Sequence, residues 1–440
     1  MDVISFIHET KWDDLPEDVR RQARRCLLDT LGAGISASRT KLSKIIHDFT
    51  ASAFGGQGAY LWLDGREVSP PGAALANGMT IDALDIHDGH PLAKGHAGAA
   101  IVPAVLSTIP LKNSVKVSGA ELLTAMVIGY EVALRAGIAL HATACDYHTS
   151  GAWNALGSAA LVSRRLELSK EKTRHALGIA EYHGPRSQMM RCIDHPPMLK
   201  DGSGWGAMAG VSAAYMAKES FTGAPALTIE AEEAEDYWTD LGQNWRMTEQ
   251  YFKPHAVCRW AQPAIEAALM LQQTHRLSPD DIDRIEVHTF HEAARLNCRH
   301  PQSTEEAHYS LPFPLAAAMV HGKLGPLELC KDSLTHTAIL QISELIKLIE
   351  DETFSSRFPA QRIARVIIGT KDGKRCDSGE VEARWDNANP PSDQQLLEKF
   401  RWLVQAVLPD DRAAELEKMI WQCPDLPDAA SLLDAIIKPN

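Results

Sequence analysis

Features that mark membrane-spanning, secreted and nucleic-acid-binding proteins are missing from this sequence. No uninterrupted apolar run reaches the roughly 18 residues that cross a bilayer. The first residues are acidic where a secretion signal would be basic and then apolar. Lys and Arg together number 44 against 57 for Asp and Glu, which gives a net charge of −13 and disfavours a basic nucleic-acid-binding surface. We therefore expect a cytoplasmic protein without a membrane or nucleic-acid partner.

Patterns typical of metal sites and disulfide frameworks are also missing. The eight cysteines form no CxxC pair, and their scatter favours reduced thiols. His87, His90 and His96 stand at i, i+3 and i+9 rather than as HxxxH on one helix face, which is a weak pattern for a metal. The GSGWG run at 202–206 follows no predicted strand and lacks the Walker spacing, so it is not a phosphate loop. We predict no metal.

Helical periodicity dominates the first part of the chain. Its 440 residues are 45% hydrophobic and 23% charged, which suits a globular protein large enough for two domains. Apolar and small residues predict helices at 2–10, 16–37, 41–54, 120–139, 151–165 and 204–217, with a loop or brief hairpin at 55–71. The last two helices are rich in Gly, Ala and Ser, which indicates close packing between helices.

The pattern changes after about residue 275. Alternating apolar residues predict a strand within 281–293, and 362–384 predicts a hairpin. Helices are predicted at 314–321, at 333–350 and again from 392. The predicted fold is mainly α, with a large all-helical domain and a smaller α+β domain. The predicted boundaries are 1–262 for the first part of the helical domain, 263–391 for the α+β domain, and 392–440 for C-terminal helices that return to the helical domain.

The densest group of titratable residues lies at 82–98, between two apolar segments. We call this segment the acidic loop. It contains Asp82, Asp85, His87, Asp88, His90, Lys94 and His96. Clusters of Asp and His beside buried segments are typical of proton-transfer sites. A solvated loop with helix-capping aspartates is an equally reasonable interpretation of this segment alone.

Further candidate residues follow along the chain. His148 precedes the helix at 151–165, and Lys200 precedes the one at 204–217, where a cation beside helical N–H groups would bind a carboxylate. His255 and Arg259 lie in the segment KPHAVCR, and YSLPFP at 309–314 opens a later helix. Each has a plainer interpretation, since a single histidine before a helix is more often a cap or a packed residue. A single lysine there is usually solvated.

Taken in order, these segments resemble the MmgE/PrpD family over nearly the whole chain. The segments are LLDTLGAGISA (27–37), ALANGMTIDALDIHDGH (74–90) with the following GHAG, GYEVALR (129–135), YHTSGAWNALGSAA (147–160), ALGIA (176–180), KDGSGWGAMAGVSAAYMAKESFTGAP (200–225), YFKPHAVCRW (251–260), YSLPFPLAAAM (309–319) and PPSDQQLLEKF (390–400). Each segment is weak alone, but their order is specific. The resemblance implies a helical domain with a smaller α+β lid, a homodimer, and no metal or organic cofactor.

The resemblance also implies site residues. The catalytic positions fall on Asp85, His96 and His148, and substrate-binding positions on Lys200 and Arg259; we add His255 and His90 as substrate-binding candidates. We expect Asp85 to orient His96, and His96 and His148 to share the acid and base roles. The sequence departs from the family pattern in two places. It has His-Ala-Gly at 96–98 where many members have His-Pro-Gly, and Phe313 where some decarboxylating members have tyrosine.

The family includes 2-methylcitrate dehydratase, cis-aconitate decarboxylase and iminodisuccinate epimerase. Their shared chemistry is proton transfer at a carbon beside a carboxylate of a small di- or tricarboxylic acid. We expect a cofactor-free lyase, most similar to 2-methylcitrate dehydratase. An epimerase of a substituted succinate and a cis-aconitate decarboxylase are the alternatives, and Phe313 slightly disfavours the decarboxylase. A binding protein that merely retains the pocket is a third possibility, against which the intact Asp85, His96, His148 and Lys200 argue.

Overall fold

The computed structural model describes residues 1–111 and 115–439, and most of them are helical. The α-helices are α1 (Val3–Glu9), α2 (Glu17–Ala37), α3 (Lys41–Ala53), α4 (Pro70–Asp82), α5 (Gly98–Leu106), α6 (Gly119–Thr143), α7 (Gly151–Arg165), α8 (Lys170–His183), α9 (Met190–Asp194), α10 (Ser203–Lys218), α11 (Leu227–Glu230), α12 (Gln262–His275), α13 (His291–Ala294), α14 (Thr304–His308), α15 (Pro312–His321), α16 (Thr337–Glu344), α17 (Glu352–Arg357), α18 (Asp393–Val404), α19 (Asp410–Trp421) and α20 (Ala430–Ile437). The strands are β1 (Ala59–Tyr60), β2 (Glu67–Val68), β3 (Ile282–Thr289), β4 (Ile346–Glu350), β5 (Ile363–Thr370), β6 (Arg375–Asp377) and β7 (Val381–Glu382).

The helices predicted in the first part of the chain are confirmed, with ends shifted by one or two residues, except that α6 runs on to Thr143. Helix α2 begins after Pro16 and carries Glu17 and Asp18 in its first turn, where both are favourable. Helix α6 is long and apolar enough to cross a membrane by length and composition, but 94% of its most apolar window is buried inside the protein. It is therefore packed as a central core helix.

Close packing between the small-residue helices is confirmed. A Cβ added at Gly206 of α10 would lie 2.4 Å from the carbonyl oxygen of Gly151 in α7. One added at Gly204 would lie 2.5 Å from the carbonyl oxygen of Leu75 in α4. Real Cβ atoms do not approach that closely, so α4, α7 and α10 pack at distances that only glycine permits. This packing fixes the ends of all three helices, where several candidate site residues lie.

The sheet contains one strand that the sequence did not predict. Its order is β4-β3-β5-β6, with β7 paired to the other end of β5. Strand β4 runs parallel to β3, with Ile346 opposite Ile285, whereas β5 is antiparallel to β3. The predicted helix at 333–350 is therefore wrong in its second half, because α16 ends at Glu344 and β4 follows at once. The run LIKLIE fits both a helical and an alternating pattern, and pairing with β3 decides between them.

Buried apolar residues form two main clusters. The first draws on residues from Val3 to Ala256 and again from Leu396 to Ile437, so α18, α19 and α20 pack with the early helices. The second draws on residues from Val257 to Cys376, together with Met189 and Ile193. The fold is mainly α with a small mixed sheet, as predicted. Before residue 275, the described strands are the two-residue β1 and β2, an antiparallel pair within the predicted loop or hairpin.

Candidate active site

A small pocket lies between the acidic loop and the segments that belong to the second cluster. Three predicted site residues, Asp85, His96 and Arg259, line it. Residues not assigned to the site beforehand also line it, namely Lys94, Gly95, Tyr147, Met189, Asp201, Tyr251, Cys258, Trp260, Tyr309 and Arg362.

His96 presents one free ring nitrogen to this pocket. Its Nδ1 lies 2.6 Å from the backbone carbonyl oxygen of Asp88, which can only accept, so Nδ1 carries a proton. Burial, followed by the charge of Lys253, lowers the pKa of His96 to about 3. The ring is therefore neutral at pH 7, with an unprotonated Nε2. That is the form a general base requires.

Asp85 is held by a lysine rather than by the histidine. Lys253 donates to both the carboxylate and, at 3.0 Å, the backbone carbonyl of Asp85. The Asp85 carboxylate lies 3.9 Å from Nε2 of His96, beyond hydrogen-bond distance. Burial opposes the charge on Lys253, but the Asp85 carboxylate together with Tyr251 and Cys258 outweighs burial and raises the pKa of Lys253. The expectation that Asp85 orients the imidazole is therefore corrected: the Asp88 carbonyl orients it, and Asp85 forms a buried ion pair.

Two further aspartates near the pocket hold protons more tightly than usual. Burial, and then the charges of Asp201 and Asp85, raise the pKa of Asp82 to about 7. Burial also raises the pKa of Asp201 to about 6, against a hydrogen bond from Ser150 that lowers it. The backbone N–H of Asp201 donates to the Asp82 carboxylate at 3.3 Å. Among these carboxyls, Asp201 lines the pocket together with Asp85.

Three cations face the pocket and give it a positive lining. Arg259 pairs with Asp386 at 2.8 Å and stacks over Tyr251 at 4.5 Å. Arg362 donates at 3.2 Å to the backbone carbonyl of Pro91 in the acidic loop and, like Lys94, has no ion pair in the described part of the chain. Cations without a carboxylate partner in a mostly enclosed site favour an anionic ligand. Arg362 and Lys94 are therefore the cations best placed to bind substrate carboxylates.

Lys200 lies behind the pocket wall rather than on it. Its side chain is fully buried, its Nζ lies 3.2 Å from Nδ1 of His308, and it sits 5.1 Å over the ring of Tyr309. Burial lowers the pKa of Lys200 despite the nearby carboxylates of Asp85 and Glu305. Its predicted contact with a substrate carboxylate is not formed by the pocket as it stands, because Tyr309 lines the cavity at this point.

Three predicted histidines do not line the pocket, because other groups hold them elsewhere. His148 is half-buried, and its Nδ1 lies 2.9 Å from the carbonyl oxygen of Asp146. His255 lies 2.8 Å from Glu266. His90 accepts from the N–H of Ala93 and donates to Glu249 at 3.0 Å, so both of its ring nitrogens are already hydrogen-bonded. Catalysis by His148 and substrate binding by His255 and His90 stay predictions.

Three charged residues of the site region adopt a backbone conformation that non-glycine residues rarely take. The φ angles are +49° at Asp85, +54° at Lys94 and +50° at Lys200. Such left-handed residues persist where the surrounding structure fixes them, and they cluster at functional sites. No group of three or more His, Cys, Asp or Glu side chains suited to a metal occurs within residues 1–111 and 115–439.

The helical fold thus holds a neutral histidine, buried carboxyls and cations around one small pocket, a set of groups typical of enzyme active sites. Comparison with protein families identifies the group to which the chain belongs. The MmgE/PrpD N-terminal domain matches residues 2–246, and the MmgE/PrpD C-terminal domain matches residues 255–424. The chain therefore belongs to the MmgE/PrpD family, as the sequence motifs indicated.

Curated relatives resemble this chain along most of its length. The cis-aconitate decarboxylase of Homo sapiens is 27% identical, covering 99% of this chain and 93% of the relative. The cis-aconitate decarboxylase-like protein oryM of Aspergillus oryzae is 23% identical, covering 99% and 96%. The 2-methylcitrate dehydratase of Escherichia coli K12 is 25% identical, covering 86% and 84%. Decarboxylases and dehydratases of this kind are lyases, and the chain is an enzyme of the MmgE/PrpD type.

Two of the pocket residues that were missed carried no usable sequence signal. Arg362 precedes β5 in RIARVIIG, where an arginine looks like an ordinary exposed strand residue. Asp201 follows Lys200 in the segment KDGSGWG, in which the family resemblance assigns only the lysine to the site. A buried aspartate two residues before a helix usually reads as a helix cap. Tyr309 opens the segment YSLPFP and lines the pocket. Phe313, in the same segment, is fully buried in the second cluster and does not line the pocket.

Proposed function

We propose that the enzyme is a cofactor-independent lyase that removes the proton beside a carboxylate of a small di- or tricarboxylic acid. Dehydration of a substrate like 2-methylcitrate is the reaction we favour. The observation that carries this proposal is His96, whose Nε2 faces a cation-lined pocket while its Nδ1 is committed to the Asp88 carbonyl. Such a ring is neutral, fixed in orientation and ready to accept a proton.

The cations supply the other requirement of the reaction. A carbon beside a carboxylate is barely acidic, because removing its proton places negative charge on the neighbouring carboxylate. Arg362 and Lys94, which line the pocket, would bind the substrate carboxylates and stabilise that charge. A bound polycarboxylate also places negative charge beside His96, which raises the pKa of the imidazole from its low value in the free enzyme. The base therefore strengthens when the substrate is present.

Decarboxylation of cis-aconitate is the second candidate. Decarboxylases carrying that name match 97–99% of this chain, compared with 86% for the E. coli dehydratases. The argument against it from Phe313 is weakened, because Phe313 lies in the core and Tyr309 supplies a phenol at the pocket instead. Epimerisation would use the same base without loss of a group. A homodimer remains part of the proposal through the family resemblance, and a cytoplasmic location through the scattered cysteines.

Solvent-deuterium exchange separates these reactions. The enzyme is incubated in D₂O with 2-methylcitrate, with cis-aconitate and with a substituted succinate, and the products are followed by proton NMR. We expect exchange with loss of water from 2-methylcitrate, and His96→Asn should abolish both. His291→Asn, an exposed histidine that pairs with Glu350 outside the pocket lining, is the matched control and should keep exchange. Release of carbon dioxide from cis-aconitate would select the second candidate. Normal exchange in His96→Asn would refute the base assignment.

A further inference from the structure

Asp201 lines the pocket, but proton abstraction by His96 does not involve its carboxyl group. It is 3% exposed and lines the same cavity as His96. It lies between the end of α9 and the start of α10, and its backbone carbonyl accepts from the N–H of Gly151 at 3.2 Å. Both its backbone polar groups are thus fixed, since its N–H binds Asp82. Its position is set by contacts with α4 and α7 rather than by a mobile loop.

The two carboxylate oxygens of Asp201 have different surroundings. The backbone N–H of His96 donates to Ser150 Oγ at 2.9 Å, and Ser150 Oγ donates its only proton to Oδ2 of Asp201. Oδ1 is buried and has no hydrogen-bond partner among the described residues. Because Oδ2 already accepts a proton from Ser150, a proton bound by Asp201 would reside on Oδ1. Oδ1 is therefore the Asp201 oxygen that still has hydrogen-bonding capacity for a group brought against it from the pocket.

The surroundings of Asp201 let it keep a proton to a higher pH than an ordinary aspartate. Burial raises its pKa, and the negative charge of Asp85 adds to this, although Ser150 and Lys253 act in the opposite direction. Asp82, whose pKa is also raised, receives the Asp201 backbone N–H and contributes a further buried carboxyl close by. Two buried carboxyls of this kind take up their protons as a coupled pair and at a higher pH than ordinary aspartates. A bound polycarboxylate would strengthen that preference.

We propose that Asp201 is the general acid of the site and donates a proton from Oδ1 to the departing hydroxyl of the substrate. This inference rests on the proposed dehydration. His96 Nε2 takes the proton from the carbon beside the carboxylate, and the electron pair of that C–H bond is first delocalised onto the carboxylate as an enolate and then forms the new C=C bond. The C–O bond breaks with its electron pair on oxygen, which takes the Asp201 proton and leaves as water. The enzyme returns to its starting state when His96 loses its proton to solvent and Asp201 regains one.

Asp201→Asn tests this role, because it keeps the size and the hydrogen bond from Ser150 but has no acidic proton. Deuterium exchange beside the carboxylate of 2-methylcitrate should stay within about threefold of the wild-type rate. Elimination should fall about 10²–10⁴-fold, the usual contribution of a general acid. The control is a 2-methylcitrate analogue with fluoride in place of the hydroxyl, because fluoride leaves without a proton. Asp201→Asn should eliminate fluoride at nearly the wild-type rate.

Three results would overturn the assignment. Normal elimination of water by Asp201→Asn would show that no acid is needed there. An equal loss with hydroxyl and fluoride would show that Asp201 only maintains the pocket. The third test is carbon-13 NMR of labelled aspartates in the free enzyme, which should show a signal that titrates near neutral pH and disappears in Asp201→Asn. Titration of the Asp201 signal at the ordinary pKa of aspartate would refute the proposal. Retained exchange in His96→Asn would instead refute the proposed function, and the NMR titration would still decide the Asp201 assignment.

Discussion

Replacing Lys399 by methionine should destabilise the first cluster severely. Lys399 lies on α18, near the C-terminus, and its side chain is 2% exposed. It donates to Asp29 of α2 at 2.6 Å and to the backbone carbonyl of Ile86 in the acidic loop at 2.7 Å. One side chain thus joins the C-terminal helices, an early helix and the loop that carries the candidate base. Methionine keeps the length of the side chain and its apolar stem but removes the charge.

The magnitude follows from what remains after the substitution. Asp29 is fully buried, its Oδ2 already lacks a partner, and burial raises its pKa even with Lys399 present. Removing one partner of a buried ion pair costs about 3–5 kcal/mol, because the other charge stays desolvated. Without Lys399, the folded protein must take up a proton at Asp29. Its folded-state pKa then lies above the unfolded value, so the cost is small near pH 4 and grows as the pH rises.

The assay is urea unfolding followed by circular dichroism at pH 5 and pH 8. Lys399→Met should lose about 3–5 kcal/mol at pH 8 and clearly less at pH 5. Adding Asp29→Asn should recover most of the loss, because the buried charge is then gone. Lys438→Met removes an exposed lysine that pairs with Asp434 and should change the free energy of unfolding by less than about 1 kcal/mol. A Lys399→Met variant within that same range would refute the reasoning.

Three more predictions concern the pocket and its loop. Arg362→Gln should raise KM about 10–150-fold, since a charge-assisted contact contributes about 1.5–3 kcal/mol. The control, Arg365→Gln on the exposed side of β5, should leave KM unchanged. Equal effects of the two substitutions in steady-state kinetics would remove Arg362 from the site. Burial, followed by the negative charge of Asp29, raises the pKa of Asp88 to about 7. Because the ionised form is disfavoured in the folded state, the free energy of unfolding should fall as the pH rises from about 4 to about 7. Asp88→Asn should lack that fall, and a constant difference from wild type in urea unfolding across this range would contradict it. Exhaustive dialysis against a chelator should leave turnover unchanged, and loss that a divalent ion restores would overturn the cofactor-independent proposal.

The sequence predicted the helices well because their apolar faces and caps are local features. Helix α18, for example, begins at Ser392 with a reciprocal capping box to Gln395, and this signal is readable from four residues. Strand β4 was missed because its identity depends on pairing with β3, some 60 residues earlier in the chain. A six-residue run that fits two periodicities has no local preference strong enough to decide.

The candidate site was predicted in part for a similar reason. His96 and Asp85 were found because a family motif and a dense titratable loop coincide there. Arg362 was not, because its place at the pocket arises from contacts between distant segments, including its hydrogen bond to Pro91. The role expected of Asp85 changed because Lys253, 168 residues away in the sequence, reaches its carboxylate first. Spacing along a loop does not reveal such a competitor.

The left-handed backbone at Asp85, Lys94 and Lys200 lowers the stability of the protein at positions where charged side chains lie near the pocket. Each of these residues costs about 1–2 kcal/mol relative to glycine in that conformation. At Lys94, which has no ion pair among the described residues, glycine should therefore make the protein harder to unfold, yet it would delete an ammonium group from the pocket. At Asp85 the balance is reversed, because glycine would leave Lys253 buried without its carboxylate, a loss of about 3–5 kcal/mol. Directed evolution for heat resistance alone would favour glycine at residue 94 and yield robust but impaired enzymes. Screening for turnover at each round would be needed to keep them.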